Sequence, residues 1–178
     1  NFSNSTFKKA STFRSTMFNN RVYFHETHFT KQTNFDGAAF EGESNFSNAT
    51  FNEEARFVSA KFTNKVSFVE ANFALCSFTG SEFQGESDFS GCIFNGESGF
   101  SYCKFTQGSV AYFNNVNFTK PSTFDNAALG EAYFSNATFN EEARFVSAKF
   151  TNKVSFEGTK FALCSFTGSE FQGESDFS

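Results

Sequence analysis

The sequence has no tryptophan, one proline and one methionine, whereas phenylalanine accounts for 32 of its 178 residues. This bias excludes the composition of an ordinary globular domain. No apolar run approaches the roughly 20 residues that a membrane-spanning helix needs, so no membrane segment is expected. The chain starts at Asn1 and does not open with a charged stretch followed by an apolar one, so we expect a mature or excised segment.

Basic residues are also fewer than acidic ones. Lys and Arg together number 14 against 19 Asp and Glu, which gives a formal net charge of −5. A net negative charge favours solubility and argues against general binding to nucleic acids, because their phosphates would repel it.

The phenylalanines recur every five or six residues, with one interval of eight between Phe105 and Phe113. Leu129 fills the single gap in the series, and the residue two places before each position from Phe7 onward is Ala, Ser, Thr, Val or Cys. The phenylalanine positions are 2, 7, 13, 18, 24, 29, 35, 40, 46, 51, 57, 62, 68, 73, 78, 83, 89, 94, 100, 105, 113, 118, 124, 134, 139, 145, 150, 156, 161, 166, 171 and 177.

Residues i and i−2 of an extended strand point to the same side, so each unit is predicted to place one large and one small side chain inward. A helix would scatter these phenylalanines around its axis, and a long flat strand would turn them to both faces. Short extended segments separated by turns fit the spacing. Turn-forming residues crowd the intervals, as in residues 41–44 and 84–87.

The order of the intervals predicts the number of sides. From Phe2 to Phe68 they alternate between five and six without a break, which stays in phase only on a coil with an even number of sides. Because a two-sided coil leaves little room for two columns of phenylalanine, we predict an all-β solenoid with four sides. It would have about 22 residues per coil and about eight coils, each phenylalanine being buried. At roughly 4.8 Å per coil the rod would be about 40 Å long.

A small residue at i−2, Phe or Leu at i, and polar residues elsewhere make the chain resemble the pentapeptide-repeat family over its whole length. Stretches such as Ser47-Asn48-Ala49-Thr50-Phe51 and Val58-Ser59-Ala60-Lys61-Phe62 carry this resemblance. It implies a right-handed quadrilateral parallel β-helix. The many six-residue intervals depart from the usual family pattern.

The sequence also contains a longer repeat, which spans several of the five- and six-residue units. Residues 46–68 are identical to 134–156, and residues 73–90 to 161–178, at an offset of 88 residues, or four coils of 22. We therefore expect one continuous solenoid of two tandem units, about 1–88 and 89–176, which is a segment of a longer array. The eight-residue interval after Phe105 is predicted to bulge from one corner as a loop.

The residue types that could carry chemistry occupy structural positions. Cys76, Cys92, Cys103 and Cys164 all stand at small inward positions, too far apart for disulfides, so core packing is the preferred interpretation. His25 and His28 should point outward around inward Thr27, and their spacing is not that of a helical zinc site. No phosphate-binding loop or nucleophile–base pair is found. No catalytic, cofactor or metal site, no small-molecule substrate and no enzymatic activity are expected.

Two outward features remain. Tyr112 and Tyr133 hold equivalent outward positions on successive coils and are predicted to stack on the surface as a possible interaction surface; Tyr23 lies in the same column four coils earlier. Acidic residues form two lines along the turns. One line contains Glu41, Glu43, Glu86, Asp88, Glu131, Glu174 and Asp176, and the other contains Glu53, Glu54, Glu97, Glu141 and Glu142.

The leading hypothesis is a structural or interaction scaffold, a rigid rod that binds protein partners or assembles end to end into a fibre. The resemblance implies an alternative, a DNA-mimicking regulator that binds DNA gyrase, although lysines interspersed in the acidic lines make a poor mimic. Reduced cysteines permit a cytoplasmic location, and an extracellular fibre is the other possibility. The sequence leaves the compartment and the identity of any partner open.

Overall fold

Strands of successive coils pair in parallel, one coil length apart. In a computed structural model that describes residues 1–106 and 108–178, Phe7 lies opposite Phe29, Phe73 opposite Phe94, and Phe94 opposite Phe118. The coil is thus about 22 residues long, as predicted, with local departures of one or two residues. No helix able to cross a membrane occurs in the part of the chain that the structure describes.

The described strands form four sides. We number them 1 to 4 in chain order, and each is identified by the first phenylalanine of its column. Side 1, the Phe2 column, contains β4 Val22–Tyr23, β8 Ser44–Asn45, β11 Val66–Ser67, β14 Ser87–Asp88, β18 Val110–Tyr112, β22 Glu131–Tyr133, β25 Val154–Ser155 and β28 Ser175–Asp176. Side 2, the Phe7 column, contains β1 Thr6–Phe7, β5 His28–Phe29, β9 Thr50–Arg56, β12 Asn72–Ser77, β15 Ile93–Phe94, β19 Asn117–Phe118, β23 Thr138–Arg144 and β26 Lys160–Ser165.

Sides 3 and 4 complete the coil. Side 3, the Phe13 column, contains β2 Ser11–Thr12, β6 Thr33–Asn34, β16 Ser98–Gly99 and β20 Ser122–Thr123, together with the far ends of β9, β12, β23 and β26. Side 4, the Phe18 column, contains β3 Met17–Phe18, β7 Ala39–Phe40, β10 Lys61–Phe62, β13 Glu82–Phe83, β17 Lys104–Phe105, β21 Ala128–Leu129, β24 Lys149–Phe150 and β27 Glu170–Phe171.

The corners that leave sides 1 and 3 are tight β-turns. In one of them the Thr16 amide donates to the Phe13 carbonyl at 3.0 Å, and Ser15 between them has a left-handed φ of 53°. This geometry places a left-handed residue third in the turn, where Gly and Asn are favoured. Most such positions in this chain hold Asn, Ser, Glu or Gly, and Tyr102, with φ of 58°, is the bulky exception.

The corner from side 2 to side 3 is built differently. Strands β9, β12, β23 and β26 pass around it without interruption, so sides 2 and 3 form a single 12-stranded sheet, while sides 1 and 4 are separate 8-stranded sheets. β9 has 7 residues and β12 has 6, and the mismatch appears as a bulge between Phe73 and Leu75. Differences in corner length are thereby absorbed without shifting the strands that follow.

The core consists of four ring columns, as predicted. Along the columns, stacked rings of successive coils have centroids 4.6–5.1 Å apart, for example 4.8 Å between Phe35 and Phe57. Across the rod, rings of sides 1 and 3 meet edge to face, as Phe46 and Phe57 do at 5.6 Å and 89°. Both arrangements are favourable for aromatic rings, so the columns reinforce one another.

Burial follows the prediction in the middle of the rod but not in its outermost coils. Every phenylalanine from Phe24 to Phe156 is buried, and Phe57 has no exposed surface. The expectation that all are buried is wrong for Phe2, Phe7, Phe13, Phe18, Phe161 and Phe166, which are partly buried. It is also wrong for Phe171 and Phe177, which are 37% and 55% exposed. In these coils each ring has a stacking neighbour on one side only.

Candidate interaction surface

The outward face of side 1 carries a pair of stacked tyrosines. Strands β18 and β22 pair so that Tyr112 lies directly opposite Tyr133. Their ring centroids are 5.6 Å apart with an interplanar angle of 13°. The predicted stacking is therefore present, and both rings are half-buried on an otherwise polar side.

Glu131 completes this aromatic pair. It precedes Tyr133 by two residues on the same strand, so both side chains leave the same face. The Tyr133 hydroxyl donates to Glu131 Oε1 at 2.5 Å, and this hydrogen bond to a carboxylate raises the pKa of Tyr133 to about 12. The contact orients the Tyr133 ring within the stacked pair. The only sign of this hydrogen bond in the sequence was the i, i+2 spacing of Glu131 and Tyr133.

Tyr23 lies in the same column, as expected, but the structure does not bring it to the pair. Asn45, Ser67 and Asp88 fill the intervening coils between Tyr23 and Tyr112. Tyr23 is therefore an isolated aromatic residue on the same side, 38% exposed.

The eight-residue corner borders the tyrosine pair. The Ser109 amide and hydroxyl both donate to the Thr106 carbonyl, at 3.0 and 2.7 Å, while Gly108 faces open space; Gln107 lies outside the described residues. A Cβ on Gly130, in the shortened corner of the next coil, would lie 3.2 Å from the Thr106 carbonyl oxygen. A long corner thus lies against a short one. The predicted bulge falls partly on Gln107 and stays a prediction.

Both acidic lines are interleaved with basic side chains. At the corner from side 4 to side 1, ion pairs join Arg21 to Glu43 at 3.0 Å, Lys65 to Glu86 at 2.5 Å and Lys153 to Glu174 at 3.4 Å. At the corner from side 2 to side 3, Lys31 pairs with Glu53 and Lys120 with Glu141, each at 2.8 Å. The hydrogen bond from Lys31 lowers the pKa of Glu53. These exposed pairs contribute little stability but neutralise much of the acidic surface.

The histidines and three of the four cysteines follow the sequence pattern. Thr27 is buried and donates to the Phe2 carbonyl at 2.8 Å, whereas His28 is exposed and His25 approaches Glu26 at 3.4 Å.

All four cysteines are free. Burial raises the pKa of the Cys76, Cys92 and Cys103 thiols. The expected core position is wrong for Cys164, which lies exposed in an outer coil. No group of three His, Cys, Asp or Glu able to hold a metal is formed by residues 1–106 and 108–178.

One surface feature was missed. A cavity of about 260 Å³ opens beside Leu75, where the interval from Phe73 to Phe78 is five residues instead of six. We call it the Leu75 notch and define it by Glu54, Leu75, Ser77, Glu97, Gly99 and Pro121, all of which line it. The shortened interval was the available signal, but only the structure shows which neighbours surround it.

A four-sided parallel solenoid with a phenylalanine core and a regular polar exterior defines a repeat protein of the β-solenoid class. The model of the pentapeptide repeats (9 copies) matches residues 13–61, 57–104, 100–149 and 134–178. The chain belongs to the pentapeptide repeat family, and the sequence resemblance is confirmed.

Solved structures give more distant matches. One is HetL, a pentapeptide repeat protein involved in heterocyst differentiation regulation from the cyanobacterium Nostoc sp. strain PCC 7120, at 13% identity and a TM-score of 0.29. It covers 89% of this chain and 88% of HetL. Another is QnrB1, a plasmid-mediated fluoroquinolone resistance protein, at 13% identity and a TM-score of 0.33, covering 89% of this chain and 87% of QnrB1. No curated protein sequence matches the chain significantly.

Proposed function

We propose that this chain is a non-enzymatic scaffold, a rigid rod whose lateral surface binds a protein partner. The stacked pair of Tyr112 and Tyr133 carries the proposal. Tyrosine is enriched at protein interfaces because it offers a large contact area and a polar tip at low cost in side-chain entropy. Stacking and the Glu131 hydrogen bond restrict these rings further, so less entropy is lost when a partner covers them.

A matched pair of variants tests this surface. The double substitution Tyr112→Ser and Tyr133→Ser removes the pair, and Tyr23→Ser removes an isolated tyrosine from the same side. Each protein, immobilised and exposed to an extract of the source cells, would be analysed by quantitative mass spectrometry, with circular dichroism as the check on folding. We expect a set of bound proteins that the double variant loses and Tyr23→Ser retains. An unchanged set in the folded double variant would contradict the proposal.

End-to-end assembly is a second mode of the same scaffold. The two units, about 1–88 and 89–176, meet inside the chain without a break in the core, since Phe89 stacks on Phe68 at 5.0 Å and on Phe113 at 4.9 Å. This internal junction supports the proposal that the units belong to a longer array and that one copy can stack on another. Sedimentation velocity over a range of concentrations should then reveal oligomers growing in length; a monomer at every concentration would contradict assembly.

The alternative, a DNA-mimicking regulator that binds DNA gyrase, requires acidic sides that continue along the rod. Lysine and arginine pair with acidic residues in both lines, which works against such a mimic. We therefore expect no inhibition of DNA gyrase in a supercoiling assay. Inhibition that survives added salt would favour the alternative.

A further inference from the structure

The Leu75 notch is formed by a shortened corner and a missing side chain. Strand β12 turns from side 2 to side 3 with one residue fewer than β9 below it, so its corner is recessed. The next coil contributes Gly99, which lies opposite Ser77 in the outward row of side 3. Because neither residue has a long side chain, the recess continues upward toward Pro121 and forms one cavity of about 260 Å³.

The wall of the notch alternates between acidic and apolar residues along the rod axis. Glu54 lies opposite Leu75, and Glu97 and Pro121 follow on the next two coils. Leu75 is 40% exposed, which is unusual for a leucine on a side composed mainly of Ser, Thr, Gly and Arg. The wall thus offers apolar contact and carboxylates within the same cavity.

The two carboxylates, Glu54 and Glu97, differ in whether they already have hydrogen-bond or ion-pair partners. Glu54 accepts hydrogen bonds from Gln32 at 2.7 Å and from Arg56 at 3.3 Å. Glu97 is exposed and forms no ion pair with any residue that the structure describes. The cations of neighbouring coils already have other partners: Arg56 is held by Asp36 at 3.0 Å, Arg144 by Asp125 at 2.8 Å, and Lys120, next to Pro121, by Glu141 at 2.8 Å. Glu97 is therefore the free negative group of the notch.

We propose that the Leu75 notch binds an arginine side chain from an extended segment of a protein partner. The aliphatic stem would lie against Leu75 and Pro121, and the guanidinium would reach Glu97, with Glu54 as a second acidic neighbour. Arginine fits better than lysine because its planar group packs on apolar surfaces and bonds a carboxylate with two donors. This inference extends the proposed scaffold function to a second surface, since the notch lies between sides 2 and 3 and the tyrosine pair on side 1.

The sequence offers a direct reporter for this site. The chain has three leucines: Leu75 in the notch, Leu129 buried in the core, and Leu163. Leu163 occupies the equivalent corner of the second unit and is 61% exposed. Methyl NMR of protein labelled at leucine therefore gives one signal set for the site, one for the fold and one for a second exposed corner.

The probe would be the peptide acetyl-Gly-Ser-Arg-Ser-Gly-amide, compared with the same peptide carrying citrulline, which keeps the shape of arginine but not its charge. We expect the arginine peptide to shift the Leu75 methyl signals saturably, leaving Leu129 and Leu163 in place. Glu97→Gln should weaken binding about threefold to fivefold, as for an exposed charge pair. Glu157→Gln removes an exposed acid from side 1 and should change nothing.

A filled notch provides the second test. Gly99→Val would occupy the recess, with its Cβ 3.2 Å from the Thr79 hydroxyl oxygen, and should abolish the Leu75 shift while the Leu129 signals report an intact core. Equal shifts with citrulline, unchanged affinity in Glu97→Gln, or no saturable shift at all would each overturn the proposal. The double variant Tyr112→Ser, Tyr133→Ser should bind the peptide normally. A failure of the notch proposal can therefore be distinguished from a failure of the proposed tyrosine surface.

Discussion

The Tyr133 hydroxyl donates a 2.5 Å hydrogen bond to the carboxylate of Glu131, its neighbour on the same face of strand β22. The hydrogen bond, with smaller contributions from burial and nearby charge, raises the pKa of Tyr133 from 10.0 to about 12. The protonated hydroxyl is therefore favoured in the folded state. Its contribution to stability is present below the unfolded pKa and is lost as the pH rises from about 10 to about 12.

This relationship predicts a distinct titration for one of the four tyrosines. In NMR spectra of protein labelled at the tyrosine Cζ, the Tyr133 signal should titrate near pH 12. Glu131→Gln should lower the pKa of Tyr133 toward 10, because the amide carries no charge, and Glu157→Gln should not. A Tyr133 signal that titrates near pH 10, the ordinary value for tyrosine, in the unmodified protein would contradict the hydrogen bond.

The ring columns predict a graded cost of removing phenylalanine. Phe57 is fully buried between Phe35 and Phe78, so Phe57→Ala should lower the free energy of unfolding by about 3–5 kcal/mol. Phe177 is 55% exposed, and Phe177→Ala should cost about 1 kcal/mol or less. Urea denaturation followed by circular dichroism measures both; equal losses would show that the columns do not determine stability.

The cysteines predict a simple count of reactive thiols. Cys164 is exposed, whereas Cys76, Cys92 and Cys103 are buried with raised pKa values, so a disulfide reagent should modify one thiol quickly in the native protein. The other three should react only after unfolding. In Cys164→Ser the rapid phase should disappear. Rapid reaction of a thiol in that variant would mean that the coils open locally.

Backbone strain at Tyr102 predicts a stabilising substitution. Tyr102 has φ of 58°, is 59% exposed, and makes a left-handed turn that a tyrosine adopts unfavourably. Tyr102→Asn should raise the free energy of unfolding by about 0.5–1 kcal/mol, because Asn tolerates this conformation better. Tyr23→Asn, made in strand β4, is the control and should give no gain. A loss of stability in Tyr102→Asn would show that the exposed ring contributes more than the strain.

The sequence predicted the coil well because one rule places every phenylalanine. A phenylalanine with a small residue two places before it has a single compatible orientation on a closed four-sided path, so the columns follow from spacing alone. The stacking of Tyr112 on Tyr133 followed from the same count. The Leu75 notch did not, because it depends on what Gly99 and Pro121 leave open on neighbouring coils.

The sequence also could not predict which charged side chains pair with each other. The acidic lines were visible, but the pairing of Lys65 with Glu86 and of Arg56 with Asp36 depends on rotamers across coils. The exposure of Cys164 was missed because the i−2 rule assigns a direction without saying whether another coil covers it.

The placement of the long corner after Phe105 against the short corner at Gly130 has an evolutionary consequence. Strands β18 and β22 return to full register after these changes, with Ala111 opposite Ala132. The corner therefore tolerates small insertions and deletions. A residue inserted between a small inward side chain and its phenylalanine, by contrast, would turn the side chains of the following strands to the wrong face. Selection on this chain should tolerate length variation at corners and duplication of whole coils. It should remove single-residue changes within the strands.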